Sequence, residues 1–141
     1  MPFKALIVGG AGAMGRWCVS FLKRSGFEVA IASRGDASEA AASLDVRQVS
    51  IDDAGNFDAV VLSVPIDAID ASAACVGPLM RPGSLLMDLS SLKKGPMSTM
   101  LKHAPEGVEV LGVHPLFGPD TESIEGRNVV LTPSDRSGRW L

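Results

Sequence analysis

The sequence predicts an α/β fold built on a doubly wound, mainly parallel sheet, and three observations carry that expectation. Short apolar runs alternate with helical patterns along the chain. The first run leads straight into a glycine-rich turn. The runs are apolar throughout, as strands covered by helices on both faces must be.

The elements follow in order. Phe3 to Val8 is the first buried strand. Ala13 to Ser25 reads as a helix, with Met14, Trp17, Cys18, Phe21 and Leu22 on one side and Gly26 as its C-terminal cap. Glu28 to Ser33 is a second strand, Ala37 to Leu44 a short alanine-rich helix, and Val46 to Ile51 a weaker strand. Asp58 to Val64 is again a buried run, stopped by Pro65. Ala68 to Met80 reads as helix, and Pro82-Gly83 as a turn. Ser84 to Leu89 is a strand, Pro96 to His103 a helix, and Val108 to Val113 and Asn128 to Leu131 two further strands. Ser134 to Leu141 reads as the opening turn of a helix that is cut off, so a truncated product is expected; the alternative is a native end with Trp140 packed back on the domain.

Bulk properties bound the function. The 141 residues make one domain, 46% hydrophobic and 21% charged. A formal net charge of −3 gives no surface for nucleic acid. The apolar run Ala5 to Gly9 is too short to span a membrane, and no signal peptide is visible, so a cytoplasmic protein is expected. Cys18 and Cys75 lie far apart in apolar, helix-like stretches and read as buried reduced thiols. No metal-ligand spacing is present, and none is expected.

The turn is Gly9-Gly10-Ala11-Gly12-Ala13-Met14-Gly15. It contains GxGxxG at Gly10, Gly12 and Gly15. By itself that pattern is common. Here it follows a buried strand and opens an amphipathic helix, the setting of a Rossmann-type dinucleotide site. Gly10 is expected to make the tight turn, Gly12 to let a pyrophosphate reach the backbone, and Gly15 to let helix pack on strand. Ala13 and Met14 then present the amides of the helix N-terminus to the phosphates.

Cofactor choice turns on the end of the second strand. NAD-selective sites carry Asp or Glu there, about 20 residues past the turn. This chain has Ser33-Arg34-Gly35, with no acid before Asp36. A hydroxyl and a guanidinium suit a 2′-phosphate, so NADP is expected over NAD. Ser63, Val64 and Pro65, at a neighbouring strand end, are expected to line the same cleft.

Two more strand ends carry polar groups: Ser90-Ser91-Leu92-Lys93-Lys94 and His114-Pro115-Leu116-Phe117-Gly118-Pro119-Asp120. His114 has the chemistry of a general base or polarising partner for a substrate hydroxyl, against a structural role. Ser91 either orients that imidazole, binds the same hydroxyl, or caps a helix. Lys93 and Lys94 either meet a carboxylate or are solvated. His103, at a helix end, reads as structural.

On the turn at Gly10–Gly15, on Asp88-Leu89-Ser90-Ser91-Leu92-Lys93 and on Gly112-Val113-His114-Pro115-Leu116-Phe117-Gly118-Pro119, the chain resembles the prephenate/arogenate dehydrogenase family of tyrosine biosynthesis. The last motif is the most specific. Gly9-Gly10-Ala11-Gly12 and Ser33-Arg34 look most like archaeal members. The resemblance implies an oxidative decarboxylation in which a hydride passes to the nicotinamide and the ring carboxylate leaves as CO2. It implies that His114 and Ser91 are catalytic and meet the substrate hydroxyl, and that Asp120 lies near the substrate entrance. It also implies a small-molecule substrate and a second, all-helical domain that dimerises and supplies arginine to the substrate. Residues 1–141 correspond to the dinucleotide-binding domain alone, so a full-length form is expected to be a homodimer. Two other readings share the glycine turn: a deazaflavin-dependent NADP reductase, and a non-catalytic NADP-binding module. Neither requires His114 or Ser91.

Overall fold

The computed structural model describes residues 2–140. Seven strands form one sheet: β1 (Lys4–Val8), β2 (Glu28–Ala32), β3 (Arg47–Gln48), β4 (Ala59–Leu62), β5 (Leu85–Asp88), β6 (Glu109–Pro115) and β7 (Val129–Pro133). Their order is β3-β2-β1-β4-β5-β6-β7. The first six are parallel to their neighbours, and β7 runs antiparallel to β6. The order reverses between β1 and β4, which opens a crevice at their carboxyl ends.

Side-chain alternation along the strands divides the core in two. Leu6, Val8, Val60, Leu62, Leu86 and Val110 face helices α3 (Ile69–Val76) and α4 (Lys94–His103), meeting Ile69, Ala73, Val76 and Met100. Ile7, Val29, Ile31 and Val61 face α1 (Ala13–Arg24) and α2 (Ser38–Leu44), meeting Cys18, Val19, Ala40 and Ala41. Helices on both faces explain why the strands read as unbroken apolar runs. Among the described residues no helix is long and apolar enough to cross a membrane.

Several boundaries differ from the sequence reading. The strand expected over Val46 to Ile51 shrinks to Arg47–Gln48, because the Ser50 hydroxyl accepts from the Asp52 amide at 3.1 Å and starts a 3-10 turn over Ile51–Asn56. The helix expected over Ala68 to Met80 is α-helical only over Ile69–Val76, because Pro78 has no N–H to continue the ladder and 3-10 turns flank it. Helix α4 starts two residues early, with Pro96 in its first turn, where a missing N–H costs nothing.

The segment after Pro133 is not the start of a helix through residue 140; Leu141 lies outside the described residues. Its polar groups are spent on the domain instead. The Ser134 hydroxyl donates to the Val110 carbonyl at 3.0 Å. The Arg136 guanidinium donates to the carbonyls of Leu101, Ala104 and Val108 at 3.3, 3.1 and 3.0 Å, capping the end of α4. Trp140 packs edge-on against Phe3, centroids 5.2 Å apart, and its indole N–H donates to Gly83 at 3.0 Å.

Candidate cofactor and active site

The crevice between β1 and β4 has the glycine turn on one side. Gly9 takes the left-handed turn conformation, φ +85°, and a Cβ there would overlap the Ser63 carbonyl. The tight turn therefore falls on Gly9, one residue before the Gly10 expected from the motif. Gly10 is instead wedged against the Ile31 side chain. Gly15 lies on the backbone of Gly9 and Gly10, so helix and strand meet as expected. Gly12 is different: a Cβ there would find only the Gly9 carbonyl, at an ordinary 3.5 Å. Packing does not require glycine at that position, so its bareness is free to serve a ligand.

Gly12, Ala13, Met14 and Gly15 face Leu62, Ser63, Val64, Leu89 and Ser90 across a cleft of about 240 Å³. The first turn of α1 holds no acidic residue, and Gly12 makes no side-chain cap. Its leading amides have no acceptors inside the helix, and the residues that carry them, Ala13, Met14 and Gly15, line this space. The donor set fits a pyrophosphate.

The adjoining cleft, about 590 Å³, is lined by Gly9, Ser33, Arg34, Val64, Pro65 and Cys75 among others. Ser33 and Arg34 are exposed at the end of β2. The Ser33 hydroxyl donates to the Gly35 carbonyl at 3.0 Å. Asp36 does not line this space: its carboxylate accepts from the Ser38 amide at 2.9 Å, and hydrogen bonds from Ser38 hold it below the usual carboxylate range. Asp36 is thus committed to opening α2, and the acid that lines the cleft is Asp67, on the side of α3. Cys75, expected to be buried, is exposed on the outer side of α3, whereas Cys18 is buried, which pushes its thiol up to about 12. A helix wall next to a cleft is apolar in composition yet open to solvent, which composition alone does not reveal.

His114 lies within β6, not in a loop after it. The antiparallel partner β7 extends the strand to Pro115 and pairs His114 with Val130. The side chain is half-buried. Ser91 is exposed in the loop between β5 and α4, and it does not cap α4, whose first position follows Lys93. The hydrogen bonds of that loop run through Ser90: its amide donates to Asp88 Oδ2 at 3.2 Å and its hydroxyl to the same oxygen and to the Leu92 carbonyl at 3.1 Å, with no bond from Ser91 to His114. Asp120 is exposed in the long connection from β6 to β7, beside Gly118, Thr121, Glu122 and Arg127, and does not line the glycine-turn cleft.

Asp88, below this edge, was not assigned from sequence, and Lys93, expected either to meet a carboxylate or to be solvated, meets it. Asp88 is fully buried at the end of β5 and pairs with Lys93 Nζ at 2.7 Å. Burial lowers the Lys93 pKa, and Asp88 opposes that shift. An acid at a strand end with a lysine five residues on was the available signal. Lys94 stays exposed, and His103 pairs with Asp70 at 2.9 Å on the far side of α4.

Comparison with known proteins agrees with this geometry. The sequence profile of the family described as "Prephenate dehydrogenase, nucleotide-binding domain" matches residues 19–141. The match starts after the glycine turn, so the turn is independent support. A "Probable arogenate/prephenate dehydrogenase" of Methanocaldococcus jannaschii is 37% identical over 134 residues, covering 92% of this chain and 30% of the relative. The chain therefore spans under a third of that protein's length. Among solved structures, Synechocystis arogenate dehydrogenase superposes with a TM-score of 0.81 at 21% identity, covering 97% of this chain and 52% of that one. Prephenate dehydrogenase from Aquifex aeolicus, in complex with hydroxyphenyl propionate and NAD+, gives 0.79 at 24% identity, covering 99% and 54%.

Proposed function

The chain belongs to the prephenate dehydrogenase nucleotide-binding family, and from that premise we propose that it is the dinucleotide-binding part of an NADP-dependent oxidoreductase of tyrosine biosynthesis, acting on prephenate or arogenate. The single observation that carries the cofactor reading is the bare Gly12 over an open cleft, at the N-terminus of a helix without an acidic first turn. Gly12, Ala13, Met14 and Gly15 hold the pyrophosphate. Ser63, Val64 and Pro65 wall the cleft opposite. Arg34 takes the 2′-phosphate, with Ser33 beside it. When bound, the nicotinamide supplies the hydride acceptor.

The other roles belong to residues of this chain at the same edge. His114 accepts the proton of the substrate hydroxyl as its carbon becomes a carbonyl. Ser91, exposed on the adjacent loop, binds the same hydroxyl. Asp120 lies towards the substrate entrance. The contacts to the substrate carboxylates, and the dimer, belong to parts of such a protein outside this chain.

The test uses a form carrying the helical region found in this family. Prephenate or arogenate should drive NADP reduction, with CO2 released. His114→Asn should lower kcat by roughly 10²–10⁴-fold, the scale of general acid–base catalysis, and leave NADP affinity near its natural value. Near-full kcat in His114→Asn would defeat the assignment. Turnover of a deazaflavin in place of either substrate would favour the reductase reading.

A further inference from the structure

We propose that Lys93 is a positioning residue that sets the His114 end of β6 against the Ser90–Ser91 turn. The inference rests on the reading of His114 as the residue that meets substrate. Residues at the β6–β7 ladder alternate in direction: the Leu116 amide bonds Asn128 on the β7 side. By period two, Gly112 and His114 bond towards β7 as well, and the Val113 carbonyl points to the β5 side. Yet β5 stops at Asp88, opposite Gly112. The Val113 carbonyl would have no partner there. Lys93 Nζ supplies one at 2.7 Å.

The same ammonium reaches Asp88 Oδ1 at 2.7 Å. The second Asp88 oxygen takes the Ser90 amide and hydroxyl. Asp88 thus holds both ends of the five-residue loop, and Lys93 ties that loop to the residue before His114. The charges are well hidden: the Lys93 side chain is 14% exposed and that of Asp88 0%.

Gly112 makes room for this tie. A Cβ there would lie 3.0 Å from Lys93 Cδ, 2.8 Å from Met97 Sδ and 3.2 Å from Thr132 Cβ. The lysine stem crosses β6 over the glycine, on the face where His114 stands two residues on. The two sequence motifs that flank the edge, Asp88 to Lys93 and Gly112 to His114, are therefore one unit. A lysine that only stabilised the fold would need the carboxylate. It would not need the Val113 carbonyl or a groove across the strand.

The test is ring 1H–13C NMR of this chain, whose histidines are His103 and His114. The double variant Asp88→Asn, Lys93→Met removes both charges together, so no bare carboxylate stays buried. Gly112→Ala keeps both charges and displaces the stem. Either variant should retain the His103 signal and shift or broaden that of His114, with faster amide exchange at His114. In the unaltered chain the Lys93 ammonium should give a slowly exchanging 15Nζ signal with cross-relaxation to Gly112, a readout that needs no variant. An unmoved His114 signal in a folded variant, or a Lys93 ammonium exchanging like the surface lysines, overturns the proposal. No cofactor or substrate is present in these measurements. A chain that fails to bind NADP would count against the functional reading and leave this result standing.

Discussion

Trp17 on α1 donates its indole N–H to the Thr121 carbonyl at 2.7 Å, across 104 residues of sequence. Its ring also stacks on Phe21 at 5.2 Å and meets Phe117 at 4.7 Å. The connection that follows His114 is thereby pinned to the helix that opens at the glycine turn. Trp17→Phe keeps the ring contacts and removes the donor. It should cost about 1 kcal/mol, the net worth of one hydrogen bond, and speed amide exchange in residues 118–124. Thermal unfolding with exchange mass spectrometry reads both; unchanged exchange there would mean that the tie does not order the connection.

Gly12 and Gly15 should respond oppositely to the same substitution. Gly12→Ala meets only an ordinary 3.5 Å contact, so the fold should hold while cofactor affinity falls tenfold or more, about 1.4 kcal/mol. Gly15→Ala drives a Cβ into the backbone of Gly9 and Gly10, and should lose about 1–3 kcal/mol of stability, as overpacking does. Denaturant unfolding and calorimetric titration separate the two. Intact cofactor binding by Gly12→Ala would remove the main support for the pyrophosphate site.

Arg34 is exposed on the 2′-phosphate side of the proposed site. Arg34→Ala should weaken NADP by roughly 1–3 kcal/mol, the scale of a charge-assisted hydrogen bond, and leave NAD almost unchanged. Titration of both cofactors at one salt concentration checks this. Equal losses for the two would show that the guanidinium does not read the phosphate.

The cysteines should differ sharply in reactivity. Burial pushes the Cys18 thiol up to about 12, so little of its reactive thiolate form exists at pH 8. Cys75 is exposed and lines the cleft shared with Arg34. An alkylating reagent at pH 8 should modify Cys75 and spare Cys18, and NADP should slow the reaction at Cys75. Peptide mass spectrometry locates the label; equal labelling of both would contradict the packing of α1.

Much of this molecule is determined by local sequence. The apolar runs 5–8, 29–32, 59–62 and 85–87 specify strands covered on both faces, because they hold no polar side chain to turn towards water. The glycine turn and the packing of Gly15 are legible because they answer to backbone geometry within a few residues, although the tight turn falls on Gly9 and not on Gly10. Ser33 and Arg34 are readable for the same reason: their place follows from where β2 ends. Other features depend on partners far along the chain. His114 lies inside a strand because β7 pairs with it. Cys75 is exposed because α3 borders a cleft. Residues 134–140 fold onto α4 and Gly83 instead of starting a helix, because carbonyls at Ala104, Val108 and Gly83 accept their donors. Lys93 finds the Val113 carbonyl because β5 stops one residue short. Strand periodicity and glycine stereochemistry act over a handful of residues and can be read in order. Which carbonyl lacks a partner depends on where a neighbouring strand ends, and only the assembled sheet decides that.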